Sequence, residues 1–380
     1  MHISRTSRRQ REELLAALLA HDEELIAALE TTLTESEVAG NVENFVGAVP
    51  VPLGLCGPVL VHGRHAVGEF VVPMATMEGA LVASYSRGAK MLRASGGCEV
   101  LVTADRFLRG IHCRVDTLDD AQALVVWCRA QEAVLSAVAE KTSGHLLVQR
   151  FGYDHVGSTV LVSAEFTTGD AMGSNMASKA IAAVSEYIVA HSGVEVETFL
   201  PYPEDKKPIP GRLKGKAVTA RAVLAADVVA SHGRTDVARV DRYVQAYRST
   251  LARHGSSSLN IHVVNGMAAL FQAFGQDMAY LGECSQGIVD SRVTSGGDWE
   301  ISLTLPTLVV GTVGGGTGLP AFQATLGMVD CVGSEKARKL AEIIAAVLLA
   351  GEVGCAIAQC AGEFVAAHEA LGRNSPVSAH

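Results

Sequence analysis

Five glycines in eight residues (Gly311, Gly314, Gly315, Gly316 and Gly318) directly follow the apolar, strand-like run Ile301 to Val310. Bare backbone of this kind lets amide groups approach a ligand closely and take positive φ where a turn needs it. The run lacks both the Gly-Lys-Ser/Thr ending of a Walker loop and the Gly-x-Gly-x-x-Gly spacing of a Rossmann turn. It reads as a ligand loop of another design, against the plainer reading of a tight turn. Elsewhere, Lys206 and Lys207 stand between Asp205 and Pro208. An isolated Lys-Lys is ordinarily a solvated loop, but an ammonium held beside a reacting carbonyl is a compact charge suited to an oxyanion. Glu78 precedes an alanine-rich stretch, where a helix dipole would favour a carboxylate. Burial there would raise its pKa and make it a proton donor near neutral pH. A lone histidine such as His368 is more often a surface residue of a helix than an acid catalyst.

These residues do not stand in isolation. Glu43-Asn44-Phe45-Val46-Gly47-Ala48-Val49-Pro50-Val51-Pro52, Pro73-Met74-Ala75-Thr76-Met77-Glu78-Gly79, Gly169-Asp170-Ala171-Met172-Gly173-Ser174-Asn175-Met176, Asp205-Lys206-Lys207-Pro208 and Gly275-Gln276-Asp277 occur in one order across nearly the whole chain. In order and spacing they resemble the hydroxymethylglutaryl-CoA reductase family. The resemblance implies reduction of a thioester to an alcohol by two successive hydride transfers, through a hemithioacetal and an aldehyde. Such chemistry requires a cation for the carbonyl oxygen, an acid for the departing thiolate and a proton source for the aldehyde.

Carried over from the family, Lys206 is the catalytic cation, Glu78 the proton source, and Asp277 the acid that bridges both and sets their protonation as one coupled unit. His368, seventeen residues after Gly351-Glu352, is the histidine that protonates the CoA thiolate. The family's basic and polar neighbours are replaced there by Ala366, Ala367, Glu369 and Leu371. The acyl group or CoA is assigned to Ser84, Arg87, Arg109, Asp205, Lys207, His262 and Asn265, with the planar fork of Arg109 suited to a free carboxylate. For a nicotinamide dinucleotide the resemblance assigns Ser143, Asp170, Ala171, Met172, Gly173, Ser174 and Asn175, joined by Gly314, Gly315 and Gly316. Amides at a helix start can meet phosphate oxygens in this way.

Met-Ala-Thr-x-Glu-Gly and Asp-Ala-Met-Gly resemble the biosynthetic branch, which usually uses NADPH, and so imply mevalonate synthesis. The position where that branch carries an arginine against the 2′-phosphate is Gly144, between Ser143 and His145. Either His145 or Arg150 substitutes, or NADH is accepted. The rewritten segment 209–213 leaves two alternatives within the enzyme class: mevalonate oxidation, or reduction of a related branched acyl-CoA. A paralogue that binds without turnover is a third reading, opposed by the presence of all four catalytic residue types.

Composition bounds the rest. The chain has 380 residues, 48% hydrophobic and 19% charged, enough for two or three domains. A net charge of −9 opposes nucleic acid or an anionic membrane as the main partner. Eight cysteines without Cys-x-x-Cys pairs fit reduced thiols in a cytoplasmic protein, with no metal implied. The arginine-rich N-terminus has no apolar core of a signal peptide. The apolar run Ile343 to Gly351, bounded by Glu342 and Glu352, falls short of the ~20 residues of a membrane span. The reading is a soluble enzyme without the membrane anchor of the eukaryotic relatives.

The elements that must position these residues follow from periodicity. Leu14, Leu18, Leu25 and Leu29 mark an amphipathic helix over 11–30. Val59 to Gly63 and Ala66 to Val72 predict a hairpin, and 74–92 reads as one helix with Glu78 near its start. Strands at 99–104, 144–149 and 159–166, with helices at 119–140 and 170–190, fit a small ferredoxin-like α+β unit. Proline-rich 199–215 reads as a returning loop. Helices near 236–252 and 260–282, a strand near 299–310 and two helices near 334–371 complete the pattern. The expected fold class is α+β: a large α/β domain (43–110 and 199–380) around a central helix, with an inserted dinucleotide-binding domain (111–198) and an N-terminal helical segment (1–42). The family forms its site between subunits, so a homodimer is the smallest expected assembly.

Overall fold

A 24-residue helix, Ala337–Cys360, runs through the core with almost every side chain buried. The computed structural model describes residues 7–202, 206–207 and 214–371, apart from the side chains at 200–202 and 366–368. By length and hydropathy this central helix could cross a membrane, and the whole of its apolar window is buried inside the protein. The shorter apolar run expected at 343–351 is its middle. Glu342 and Glu352 continue the helix rather than bounding it.

Among the described residues the sheet has nine strands: β1 Leu53–His62, β2 Val67–Ala75, β3 Cys98–Arg114, β4 Leu147–Val156, β5 Thr159–Thr167, β6 Glu197–Tyr202, β7 Gly215–Leu224, β8 Ile288–Val293 and β9 Trp299–Leu308. The hairpin expected from the sequence is β1–β2, paired from Leu53↔Ala75 to His62↔Val67. The long strand β3 serves two arrays. Its first half lies between β1 and β7 in the order β2-β1-β3-β7-β9-β8. From Phe107 onward it pairs with β5 on one side and β6 on the other, and β4 completes the order β6-β3-β5-β4. Chain order there is strand, helices, two strands, helix Ser174–His191, strand, which is the ferredoxin-like sequence of elements. Strand β6 occupies the start of the stretch read as a loop.

Helix starts follow local chemistry. Thr117 caps Leu118–Ala130 and Asp236 caps Val237–Arg253, accepting the first-turn amides of Asp120 and Arg239. The amphipathic segment at the N-terminus is two helices, Arg8–Leu18 and Glu23–Ala27, because Ala20 and His21 take positive φ between them. Strand β8 and helix Pro320–Met328 were not anticipated.

The central helix packs on helix Leu81–Ala94 through missing side chains. A Cβ on Gly88 would lie 1.8 Å from the Ala350 carbonyl oxygen, and one on Gly354 would lie 2.2 Å from that of Ser84. Tyr85 fills the remaining gap, its ring covering Gly351 and Gly266. Gly88→Ala is therefore expected to force the two helices apart and to lower stability by about 1–3 kcal/mol. The midpoint of urea unfolding checks this, and an unchanged midpoint contradicts the close approach.

Candidate active site

Asp277 follows the tight turn at Gly275, whose φ of +64 ends the helix Val263–Ala273. It lies outside the long helix expected around it. Its carboxylate accepts the Ala279 amide at 3.0 Å and so caps the short 3₁₀ turn Met278–Tyr280. The other oxygen meets Lys206 Nζ at 3.0 Å, with the lysine side chain 45% exposed and the aspartate 35%. The Tyr280 ring lies 5.6 Å from the same ammonium. Half-exposed pairs of this kind contribute little stability. What the arrangement provides is a cation held at a known place by an aspartate that itself borders open space.

That space is a cavity of about 970 Å³. Its lining joins Asp277 to Ala171, Met172, Gly173, Ser174 and Asn175, and to Gly314, Gly315 and Gly316. Most of the residues assigned to a dinucleotide are thus brought together. Gly173 has φ +103 and opens the helix Ser174–His191 without a side-chain cap, so the first amides of that helix are left for a ligand. Gly314 and Gly315 have positive φ, and nothing lies within 4 Å of where their Cβ atoms would stand. Gln276 ties the two walls: its amide side chain both donates to and accepts from the backbone of Gly311, at 3.0 and 2.9 Å.

Three residues of the dinucleotide and acyl assignments behave differently. The Asp170 carboxylate accepts the amides of Glu335, Lys336 and Ala337 at 2.6, 3.0 and 2.9 Å, capping the central helix from a distant loop. Its carbonyl accepts from Thr312 at 2.8 Å. The residue binds the glycine-rich segment to the rest of the site. Ser143 accepts from the His145 amide in a turn and lines neither cavity described here. Arg109 is 1% exposed and is not itself in the lining of the cavity; it donates at 2.8 Å to Oγ of Ser174, which is. Arg150, an alternative for a 2′-phosphate, is ion-paired with Glu165.

A second cavity of about 350 Å³ gathers Glu78, Ser84, Arg87, His262 and Asn265, five of the residues proposed for catalysis and acyl binding. Glu78 is exposed in the loop between β2 and helix Leu81–Ala94, and is not part of that helix. Pairing with β1 carries β2 on to Ala75, and Ala80, at φ +68, starts the helix only afterwards. Asn265 Nδ2 donates to Glu78 Oε1 at 3.4 Å. His262 is fixed by Nε2 donating to the Gly351 carbonyl at 2.8 Å and by the edge of the Tyr85 ring. Arg87 meets Glu363, which also binds Arg234. Helix Phe364–Leu371, which carries His368, contributes Phe364 and Leu371 to the lining. The His368 side chain, Asp205 and the segment 209–213 lie outside the described residues.

Sequence reading missed Gln276, Tyr280, Glu283 and Glu352. Gln276 and Tyr280 flank a recognised residue and could have been weighed. Glu352, buried and accepting the Ile261 and His262 amides at 2.7 and 2.9 Å, has its partners ninety residues away. Burial raises its pKa, against the pull of His262 and the two amides. Asp170→Ala is expected to destabilise the protein by about 1–3 kcal/mol without any nucleotide present, and thermal unfolding of the apoprotein checks it. A variant that melts like the wild type contradicts the capping role.

A family model described as hydroxymethylglutaryl-coenzyme A reductase matches residues 7–373. The chain is 38% identical over 365 residues to the 3-hydroxy-3-methylglutaryl-coenzyme A reductase of Aeropyrum pernix, covering 92% of this chain and 86% of that one. The Methanocaldococcus jannaschii reductase is 36% identical, with 89% and 86% covered. Reductase 1 of Aspergillus fumigatus is 37% identical, but this chain spans 30% of it. In structure, the class II reductase of Streptococcus pneumoniae bound to NADPH in open conformations superimposes with a TM-score of 0.73 at 20% identity, over 94% of this chain and 98% of that one. This last likeness concerns the fold.

Proposed function

Because the chain belongs to the hydroxymethylglutaryl-coenzyme A reductase family, we propose that it reduces 3-hydroxy-3-methylglutaryl-CoA to mevalonate and CoA. The observation that carries this reading is the Lys206–Asp277 pair at 3.0 Å, with Asp277 in the wall of a cavity that also holds both glycine-rich segments. A reduced nicotinamide dinucleotide, when bound, supplies the hydride for each of the two reductions. Residues 171–175 and 314–316 fit such a group, since bare amides and an uncapped helix start suit its phosphates. The unit 111–198 supplies the first of these segments.

Lys206 stabilises the negative charge that forms on the thioester oxygen and again on the aldehyde oxygen. Asp277 holds the ammonium in place. Glu78, oriented by Asn265, delivers the proton that the alkoxide takes up. His368 protonates the departing CoA thiolate. The acyl group or CoA is assigned to Ser84, Arg87, Asp205, Lys207, His262 and Asn265, with Arg109 for the free carboxylate of the acyl group.

The two groups of residues occupy different cavities of one protomer. At about 1.5 Å per residue, the eight steps of helix from Asn265 to Ala273 alone span roughly 12 Å. That separation, with exposed Val49, Leu53, Leu55 and Met77 nearby in the fold, supports a homodimer whose second copy completes the site. A cytoplasmic location and the biosynthetic direction belong to the same reading.

The test is loss of the reduced-nicotinamide absorbance with purified protein and hydroxymethylglutaryl-CoA, together with the free thiol released. Two dinucleotides oxidised per thiol freed are expected, and Lys206→Ala is expected to lower kcat by at least about a hundredfold. No turnover with either nucleotide overturns the proposal; turnover only of mevalonate with the oxidised nucleotide and CoA favours the reverse direction. The described lining of the larger cavity contains no arginine or lysine. Selectivity for NADPH over NADH is accordingly expected to be weak, within roughly tenfold in kcat/KM, about 1.4 kcal/mol. A preference of a thousandfold contradicts it.

A further inference from the structure

Lys206 takes φ +69, a left-handed conformation that a lysine rarely adopts. Such a conformation persists only where the surroundings over-determine it. Asp277 and Tyr280 meet its ammonium, but neither restrains its backbone. The restraint comes one residue later: the Lys207 amide donates to Glu283 Oε1 at 3.0 Å. The same oxygen accepts from Lys214 Nζ at 2.9 Å, and the side chains of Glu283 and Lys214 are each 2% exposed.

We propose that Glu283 is a positioning residue for the catalytic lysine, its carboxylate locked by Lys214 and its oxygen fixing the backbone that presents Lys206. The inference rests on the reading of Lys206 as the catalytic cation. Asp277, Tyr280 and Glu283 are spaced three apart across a 3₁₀ turn and the helix Leu281–Cys284 that continues it. A period of three sets such side chains on one face. One short stretch therefore holds the lysine loop at three points: a carboxylate on the ammonium, a ring beside it, and a second carboxylate on the backbone. A buried ion pair is seldom needed for stability, since apolar residues of equal volume commonly serve as well. At Glu283 the pair does what apolar residues cannot, because only an oxygen fixed in one rotamer can accept the Lys207 amide.

Two double variants of the full chain separate this role from plain stability. Lys214→Met with Glu283→Gln removes both buried charges and keeps an acceptor; Lys214→Met with Glu283→Leu removes the acceptor as well. The Leu form is expected to lose at least about tenfold in kcat relative to the Gln form, with KM for the dinucleotide unchanged and both forms folded. Equal kcat in the two folded forms overturns the proposal. Should the Leu form fail to fold, amide hydrogen exchange on the wild-type protein decides it. A strongly protected Lys207 amide is expected, and exchange at the rate of a free peptide overturns it. Wild-type protein inactive in the thioester assay would remove the functional reading, while the exchange result would still establish or refute the anchor itself.

Discussion

A carboxylate in the interior must be satisfied or it destabilises everything around it, and the central helix carries two, Glu342 and Glu352, both at zero exposure. Their partners are backbone amides. Glu342 accepts from Arg64, His65 and Ala66 in the turn between β1 and β2, at 3.2, 2.8 and 2.7 Å. Glu352 accepts from Ile261 and His262 just before the helix that carries Asn265. A third carboxylate, Asp170, closes the helix from the outside. The turn, the segment leading into the helix Val263–Ala273 and the glycine-rich segment all take their positions from this one helix. The constraint extends to Gly63, where a Cβ would lie 2.2 Å from the Glu342 carboxylate.

These clasps explain how a cavity can be both open and defined. The walls of the larger cavity come from segments far apart in sequence, near 171–175, 275–277 and 311–317. Glycine backbone supplies no side-chain packing to hold them. Gln276 against Gly311, and Asp170 against Thr312 and the central helix, do so by pairing polar backbone groups that would otherwise face a ligand unsatisfied. The bare amides that remain are those at the helix start after Gly173 and along Gly314–Gly315.

The sequence made the chemistry legible more readily than the geometry. Motif residues carry their identity whatever the local conformation, so Lys206 and Asp277, which the fold pairs, and the glycine-rich segments, which share a cavity with Asp277, could be singled out from order and spacing alone. Conformation was misread where a long-range partner overrides local preference. The alanine-rich stretch after Met74 has the composition of a helix, yet its first residues remain in the sheet because β1 is there to pair with them. Asp277 looked helical because an apolar pattern runs on both sides of it, but Gly275, packed on the Phe322 ring and at positive φ, ends the helix first. Asp170 was read as a ligand contact because nothing local reveals that its carboxylate belongs to amides 165 to 167 residues away. The placement of Glu78 and Asp277 in two different cavities was likewise invisible, since order along the chain says nothing about which side of a helix each residue reaches.

The same rule acts at two depths in this protein. In the core, carboxylates hold the amides of the β1–β2 turn and of Ile261 and His262. Beside the larger cavity, Asp277 in its wall and the buried Glu283 behind it hold the Lys206–Lys207 segment, by the ammonium and by the backbone. A lysine side chain has four rotatable bonds and, left to itself, samples many positions. An oxyanion gains from a cation only if that cation is already in place when charge develops, with no reorganisation left to make. Fixing the backbone at Lys207, with the ammonium restrained by Asp277, removes much of that freedom before substrate arrives. The cost of a left-handed lysine, roughly 1–2 kcal/mol, is small beside the several kcal/mol that a preplaced charge contributes to the transition state. On those magnitudes a strained but anchored lysine is favoured over a relaxed and mobile one.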